Sequence, residues 1–164
     1  MSIALRDIED EDLARITELN NAAVPAVSPV DEESMQALLY LSDLALAAVD
    51  DDDEVVGFLL AMSPGANYAS ENFRWFEKRG TDFFYVDRIV IAADHRGHGI
   101  GTQIYDVVFE RAQSLGREEI TLEININPPN PGSMAFHKRL GFIEVGQQDT
   151  KGGTVTVALM ATLV

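Results

Sequence analysis

Apolar and polar positions divide the chain into short segments with strand or helix periodicity. Residues 83–92 are rich in aromatic and β-branched side chains, which predicts a central strand. Residues 102–115 carry apolar side chains at helical spacing and are followed by Gly116, which predicts a helix with a glycine C-cap. The same patterns along the chain predict the order β, α, α, β, β, β, α, β, α, β, β. Such an order indicates a mixed α/β (α+β) fold in which helices cover one sheet.

The first half contains two predicted helix starts and one hairpin. Asp10 precedes an apolar helical stripe and is the expected N-cap of the first helix, and Ser28 is the expected N-cap of the second. Five consecutive acids, residues 50–54, separate two apolar stretches. Because like charges repel in a packed element, this run predicts a solvated hairpin turn.

The second half begins with an unusual aromatic segment, residues 63–82. Residues 70–79 are compatible with a short helix, and the segment is either a lid over a pocket or a packed surface flap. Farther on, residues 119–126 predict a strand and Asn130 predicts the N-cap of a helix that ends near Gly141. The last two predicted strands are residues 142–146 and 154–163.

Composition and charge narrow the function classes. The chain has 164 residues, a length that fits one domain, and it has no cysteine, which excludes disulfides and thiolate metal sites. Its formal net charge is −15. An acidic field repels phosphate-rich polymers, so we expect no nucleic-acid partner, whereas a cationic substrate would be attracted. No apolar run approaches the length of a membrane span and the acidic N-terminus does not resemble a signal peptide. The expected compartment is the cytoplasm, with no membrane association.

The glycine-rich turn at residues 96–102 is the strongest chemical signal. It follows the central strand and opens a helix, so its amides and the helix N-terminus form a cradle for a phosphate or pyrophosphate. It lacks the lysine of a Walker loop and the third glycine of a dinucleotide fingerprint. An ordinary structural turn is the alternative.

Residues 89–101 and 130–142 together resemble the motifs of the GNAT superfamily of acyl-CoA N-acyltransferases. The first resembles that family's fourth strand and pyrophosphate loop, and the second its Asn…Tyr…Leu-Gly-Phe helix. The resemblance implies a single GNAT-like domain over residues 1–164, a largely antiparallel sheet, and acetyl-CoA as co-substrate without a metal. It also implies the cofactor-binding residues, which are Ile89, Val90, Ile91, Arg96, Gly97, His98, Gly99, Ile100, Gly101, Thr102 and Asn130.

The same resemblance implies three candidate catalytic residues. Asp87 and Glu123 stand on strands where family members carry acids, and either one is a candidate base for the acceptor amine. A pair with a neighbouring arginine such as Arg88 is the structural alternative for Asp87. His137 aligns with the tyrosine that protonates the departing CoA thiolate in many members, and a packing role is its alternative.

The sequence therefore predicts an N-acetyltransferase that moves an acetyl group from acetyl-CoA to a primary amine. The acceptor is a small molecule or a protein amino group, and the acidic surface favours a cationic one. A non-catalytic acyl-CoA sensor is the alternative, because His137 replaces the usual tyrosine. A homodimer is compatible with the resemblance.

Overall fold

One mixed sheet forms the middle of the molecule, and the computed structural model describes it within residues 2–164. Its seven strands lie in the order β1-β2-β3-β4-β5-β7-β6. Neighbouring strands are antiparallel except β4 and β5, which are parallel. This confirms the predicted mixed, largely antiparallel sheet. The strands are β1 (Ala4–Asp7), β2 (Leu44–Val49), β3 (Val55–Met62), β4 (Phe83–Ile91), β5 (Glu119–Asn127), β6 (Ile143–Thr150) and β7 (Val155–Leu163).

Helices cover both faces of the sheet and create two apolar layers. Ile104 and Val108 lie in the layer beneath one face, and Ile16, Met35 and Phe73 lie in the layer beneath the other. All five side chains are fully buried, so each face has its own core. Helices α4 (Ile100–Ser114) and α5 (Pro131–Arg139) cover the first face, and α1 (Leu13–Ala22), α2 (Glu32–Leu41) and α3 (Glu71–Arg79) the second.

The first helix begins later than predicted. The Asp12 carboxylate accepts hydrogen bonds of 2.7 Å from Arg6 and from the Glu9 amide. These contacts hold residues Asp10–Asp12 in a 3₁₀ turn, so α1 begins at Leu13. The expectation that Asp10 caps this helix was wrong, because an ion pair with β1 fixes the preceding turn.

The second helix also begins later than predicted, because tertiary contacts keep the preceding residues extended. The Ser28 carbonyl accepts from the Asn20 side chain at 2.9 Å. The Asn21 amide pairs with both backbone groups of Val30, at 2.7 and 3.0 Å. Asp31 is therefore the N-cap of α2, and the prediction of Ser28 was wrong.

Several other local predictions are confirmed and one strand is longer than expected. Residues 50–54 form the hairpin turn, in which the Asp50 carboxylate accepts from two backbone amides. The predicted short helix is α3, which Ser70 caps, and Asn130 caps α5 as predicted. Strand β6 extends to Thr150 rather than Gly146, because it pairs with β7 as far as Thr150 and Val155. Among residues 2–164, no helix is long and apolar enough to cross a bilayer.

The aromatic segment is a packed flap whose helix lies on the sheet. Phe73 and Phe76 are fully buried. The Phe73 ring meets Tyr85 edge-on with centroids 5.4 Å apart. Trp75 lies over Gly146 so closely that a Cβ there would stand 2.6 Å from the indole. The aromatic residues therefore fix α3 against β4 and β6.

Candidate active site

The parallel strands β4 and β5 separate after a short paired stretch. Only residues 83–85 of β4 pair with β5, at residues 119–121. Beyond this stretch β4 continues beside β3, while β5 continues beside β7. A cleft therefore opens between the carboxyl-terminal halves of the two strands, and we call the point where they separate the fork. Both candidate carboxylates, Asp87 and Glu123, lie beyond it.

A β-bulge lies at Asp87. Across β3, the partner of Leu60 is Arg88 and the partner of Ala61 is Val86, so Asp87 is the extra residue. Regular alternation would send Asp87 and Arg88 to opposite faces. The bulge instead brings both side chains to the α1–α3 face, where the Arg88 Nε donates to Asp87 Oδ2 at 2.7 Å.

The end of β4 presents backbone groups to the cleft. The Ala92 amide donates to the Val56 carbonyl of β3 at 2.8 Å, so alternation turns the Val90 backbone toward β3 as well. Ile89 and Ile91 consequently turn their backbone groups away from β3 and toward the cleft. The Arg96 Nε donates to the Ile91 carbonyl at 3.3 Å, so this arginine folds back over the strand end.

The glycine-rich turn provides a set of unpaired amides. Gly97 and Gly99 have φ of 79° and 77°, a left-handed conformation that favours glycine. Within residues 2–164, no amide from Gly97 to Thr102 has an acceptor. The His98 ring bonds the carbonyls of the turn itself. These observations fit a bound pyrophosphate.

Gly101 has a different role, which is the close approach of α4 and α5. A Cβ on Gly101 would stand 2.9 Å from Cζ of Phe136. On α5, the Asn130 Oδ1 accepts from the Ser133 amide at 3.3 Å and so caps the helix. Asn130 therefore has a structural contact in addition to its predicted position near the cofactor.

Two tyrosines hold the two candidate carboxylates. The Tyr68 hydroxyl donates to Asp87 at 2.6 Å, and the Tyr85 hydroxyl lies 2.7 and 2.8 Å from the two oxygens of Glu123. The Asp87 side chain is 3% exposed and also pairs with Arg88. The structural pair foreseen for Asp87 is thus present, next to a second carboxylate.

Glu123 has a perturbed protonation equilibrium. Burial raises its pKa to about 7, and the negative charge of Asp87 contributes in the same direction. The side chains of Tyr85 and Asn72 act in the opposite direction because they stabilise the ionised form. A carboxylate poised near neutrality is suited to accept a proton.

His137 lies inside the core beneath α4 and α5, where its ring meets those of Tyr105 and Phe142, rather than at the open cleft edge. It is 3% exposed, and burial lowers its pKa. Its Nδ1 lies 2.8 Å from the Ser133 carbonyl, so this nitrogen carries the proton. The Nε2 then accepts from the Tyr105 hydroxyl at 2.7 Å. Both ring nitrogens are thus used within the fold.

Sequence reasoning missed the residues that surround the carboxylates. Tyr68 and Asn72 lie in the aromatic segment, 19 and 51 positions from their respective carboxylates, and only the docking of α3 brings them near. The Gln148 side chain donates to the Asn72 Oδ1 at 3.0 Å and orients that amide. Tyr85 carried a signal, since its hydroxyl stands among the apolar, buried residues at the start of β4.

A forked parallel strand pair, a cradle of free amides and a carboxylate with a pKa near 7 fit an acyl-CoA-dependent transferase. Residues 12–142 match the model of the "Acetyltransferase (GNAT) family". The chain therefore belongs to the GNAT acetyltransferase family, and it is an enzyme that transfers an acetyl group to an amine.

Similar proteins agree with this membership. The chain is 31% identical to an L-methionine sulfoximine/L-methionine sulfone acetyltransferase of Pseudomonas aeruginosa, over 93% of this chain and 87% of the relative. It is 28% identical to an L-2,4-diaminobutyric acid acetyltransferase of Shouchella clausii, over 62% of this chain and 48% of the relative. The structure of Arabidopsis thaliana NAA60 in complex with acetyl-CoA shares the fold, with a TM-score of 0.77 and 19% identity. The match covers 99% of this chain and 100% of that structure's chain.

Proposed function

We propose that this enzyme takes the acetyl group from acetyl-CoA and transfers it directly to a primary amine positioned at Asp87 and Glu123. The observation that carries the proposal is that an open edge of β4 is followed directly by the unpaired amides of residues 97–102. Both lie on one continuous segment that leads from the carboxylates to the helix N-terminus.

The chain offers binding groups for the pantetheine arm and the pyrophosphate of the cofactor. The backbones of Ile89 and Ile91 would pair with pantetheine as an added strand does, and Val90 would support them from the β3 side. The amides of residues 97–102 and the Arg96 guanidinium would hold the pyrophosphate. Asn130 is proposed to lie near the cofactor from α5.

Glu123 is proposed as the base. An alkylammonium acceptor must lose a proton before its nitrogen can attack, and a carboxylate with a pKa of about 7 can take that proton at neutral pH. Asp87 is proposed to hold the ammonium group through its negative charge. Its bonds to Tyr68 and Arg88 fix the carboxylate in place.

His137 remains the proposed proton donor to the thiolate. Its Nδ1 proton faces the Ser133 carbonyl and its Nε2 accepts from the Tyr105 hydroxyl, so the ring would have to give its Nδ1 proton to the thiolate and regain a proton at Nε2 from Tyr105, which solvent would then reprotonate. This arrangement makes Tyr105 part of the hypothesis.

The acceptor is proposed to be a small cationic or zwitterionic amine. Two relatives are named for amino-acid acceptors, and the net charge of −15 favours ligands with positive charge. The cytoplasm and a homodimer remain predictions.

Calorimetric titration with acetyl-CoA, with NAD as the control ligand, tests the donor. Release of CoA in the presence of a panel of amines then tests the transfer. Selective binding of acetyl-CoA and amine-dependent CoA release are the expected results. A folded sample that binds neither ligand, or NAD equally well, would contradict the proposed cofactor site.

A further inference from the structure

Arg88 is a nearly buried cation beside the two candidate carboxylates. Its side chain is 7% exposed. The bulge at Asp87 places the Arg88 side chain on the same face of the sheet as the Asp87 carboxylate, which accepts a hydrogen bond from Tyr68. A buried guanidinium normally has all its N–H groups bonded, so the partners of Arg88 can be counted.

The count leaves one nitrogen of Arg88 available. Nε donates to Asp87 at 2.7 Å, and Nη1 donates to Asn20 at 2.9 Å and to the Ser28 carbonyl at 3.4 Å. Within residues 2–164, Nη2 makes no hydrogen bond of good geometry, and the nearby Tyr68 oxygen favours the charged guanidinium. The Tyr68 oxygen, which already donates its proton to Asp87, can accept at most one of the two Nη2 protons.

Nη2 also retains some solvent-accessible surface. The fully buried side-chain nitrogen and oxygen atoms without a partner, among residues 2–164, are Arg117 Nε and Thr121 Oγ1. Because Nη2 is not one of them and makes no hydrogen bond of good geometry, it keeps some accessible surface at which an anionic oxygen could approach. Its position is fixed by Asp87 and Asn20, so the donor is preorganised for an anionic oxygen.

The charges around this donor match a zwitterion. Asp87 and Glu123 suit an amine, while Arg88 suits a carboxylate, and the three side chains lie together at the fork of β4 and β5. A free amino acid carries its amine and its carboxylate on one carbon atom, so both groups reach neighbouring partners. A peptide N-terminus or a simple alkylamine has no carboxylate there and would leave Nη2 unpaired.

We propose that the acceptor is a free amino acid whose carboxylate binds Arg88 Nη2 while its amine lies at Asp87 and Glu123. This inference depends on the proposed function and adds a substrate class and a specificity-determining residue. In this proposal Arg88 makes the enzyme distinguish free amino acids from their carboxamides, because an amide offers no negative charge to the guanidinium.

The test compares matched acceptors in the wild-type enzyme. CoA release is measured with acetyl-CoA and the twenty common amino acids plus L-methionine sulfone, each as the free acid and as the carboxamide, and with short-chain alkylamines. For the acceptors that react, kcat/KM is expected to be at least about tenfold higher for the acid, the usual cost of leaving a charged partner unpaired. Equal or faster reaction of the carboxamides or alkylamines would overturn this inference and leave the acetyltransferase proposal intact. No reaction with any compound would overturn both.

Variants of Arg88 provide the second measurement. Arg88→Gln is expected to raise KM for the acid about tenfold or more, with a smaller change in kcat and little change for the carboxamide. Arg74→Gln, an exposed arginine on α3, is the matched control. Equal losses for the acid and the carboxamide in a folded Arg88→Gln protein would assign Arg88 a structural role and overturn the proposal. If Arg88→Gln does not fold, the acid-to-amide comparison in the wild type decides.

Discussion

The Tyr85 hydroxyl bridges both oxygens of Glu123, at 2.8 and 2.7 Å. The two residues stand 38 positions apart, on parallel strands that pair only up to Tyr85. The hydroxyl therefore lies at the base of the fork and fixes the orientation of the Glu123 carboxylate. Because Tyr85 is fully buried, its hydrogen bond is protected from water and acts strongly on the carboxylate.

This contact predicts a pH dependence. Glu123 accepts protons when ionised, so kcat/KM should rise with pH through about 7. Tyr85→Phe removes a bond that stabilises the ionised form, so the pKa of Glu123 should rise further. We expect the acidic limb to move up by about one pH unit, which corresponds to about 1.4 kcal/mol. Tyr40→Phe, at a site 89% exposed, is the control. An unmoved limb in a folded Tyr85→Phe enzyme would argue that Glu123 is not the base.

Replacing the base itself should have a larger effect. Glu123→Gln keeps the size of the side chain but removes the proton acceptor, so kcat is expected to fall about 10²–10⁴-fold and the acidic limb to disappear. Glu144→Gln on the exposed part of β6 is the control. Steady-state rates between pH 5.5 and 9 check both points. If Glu123→Gln retains the limb near pH 7, another group must accept the proton.

The Asn72 side chain offers a second way to change the protonation equilibrium of Glu123. It stabilises ionised Glu123, and Gln148 orients it by donating to its oxygen at 3.0 Å. Asn72→Ala should therefore raise the pKa of Glu123 and shift the acidic limb upward, and Gln148→Ala should shift it less. Asn67→Ala, on the exposed part of the same segment, should leave the profile unchanged. A loss of kcat at all pH values without a shift would assign Asn72 to packing alone.

Arg96 is expected to contribute to cofactor affinity. Arg96→Ala should weaken acetyl-CoA binding by about 1.5–3 kcal/mol, the usual contribution of a charged hydrogen bond. The side chain is exposed, so the variant should fold normally. Calorimetric titration measures the change, with Arg139→Ala on the exposed face of α5 as the control. Unchanged affinity would place the pyrophosphate outside the Arg96 turn.

Gly101 should be required for the contact between α4 and α5. Gly101→Ala places a Cβ 2.9 Å from the Phe136 ring, and overpacking of this kind costs about 1–3 kcal/mol. Chemical denaturation should show the loss, and Phe136→Leu in the same chain should restore part of it. Gly132→Ala, where a Cβ meets nothing within 4 Å, is the matched control. Equal stability of Gly101→Ala and Gly132→Ala would contradict the close contact.

The two roles of His137 predict different results. As the proton donor, it should be needed for turnover, so His137→Gln should lower kcat by about 10²-fold with little change in acetyl-CoA affinity. Tyr105→Phe should then lower kcat as well, because it removes the hydroxyl bonded to Nε2. Reduced stability of both variants with nearly unchanged kcat would leave His137 with its packing role among the rings of Tyr105, Phe136 and Phe142.

Local signals determined the elements and the cofactor motif. The acidic hairpin, the short helix near residues 70–79, the Asn130 cap and the glycine turn each depend on a few neighbouring residues, so the sequence predicted them. The two predicted caps that failed, Asp10 and Ser28, are near residues held by Arg6 and Asn20. Contacts from elsewhere in the chain overrode the local preference there.

The sequence by itself determined the order of the elements, the glycine turn and the acids at positions 87 and 123. Only the tertiary structure decided what those acids can do. The bulge at Asp87, the Tyr68 and Tyr85 hydroxyls and the open donor of Arg88 come from strand register and from docking of the aromatic segment. A pKa depends on burial and on neighbouring charges, and both are properties of the packed chain rather than of local sequence.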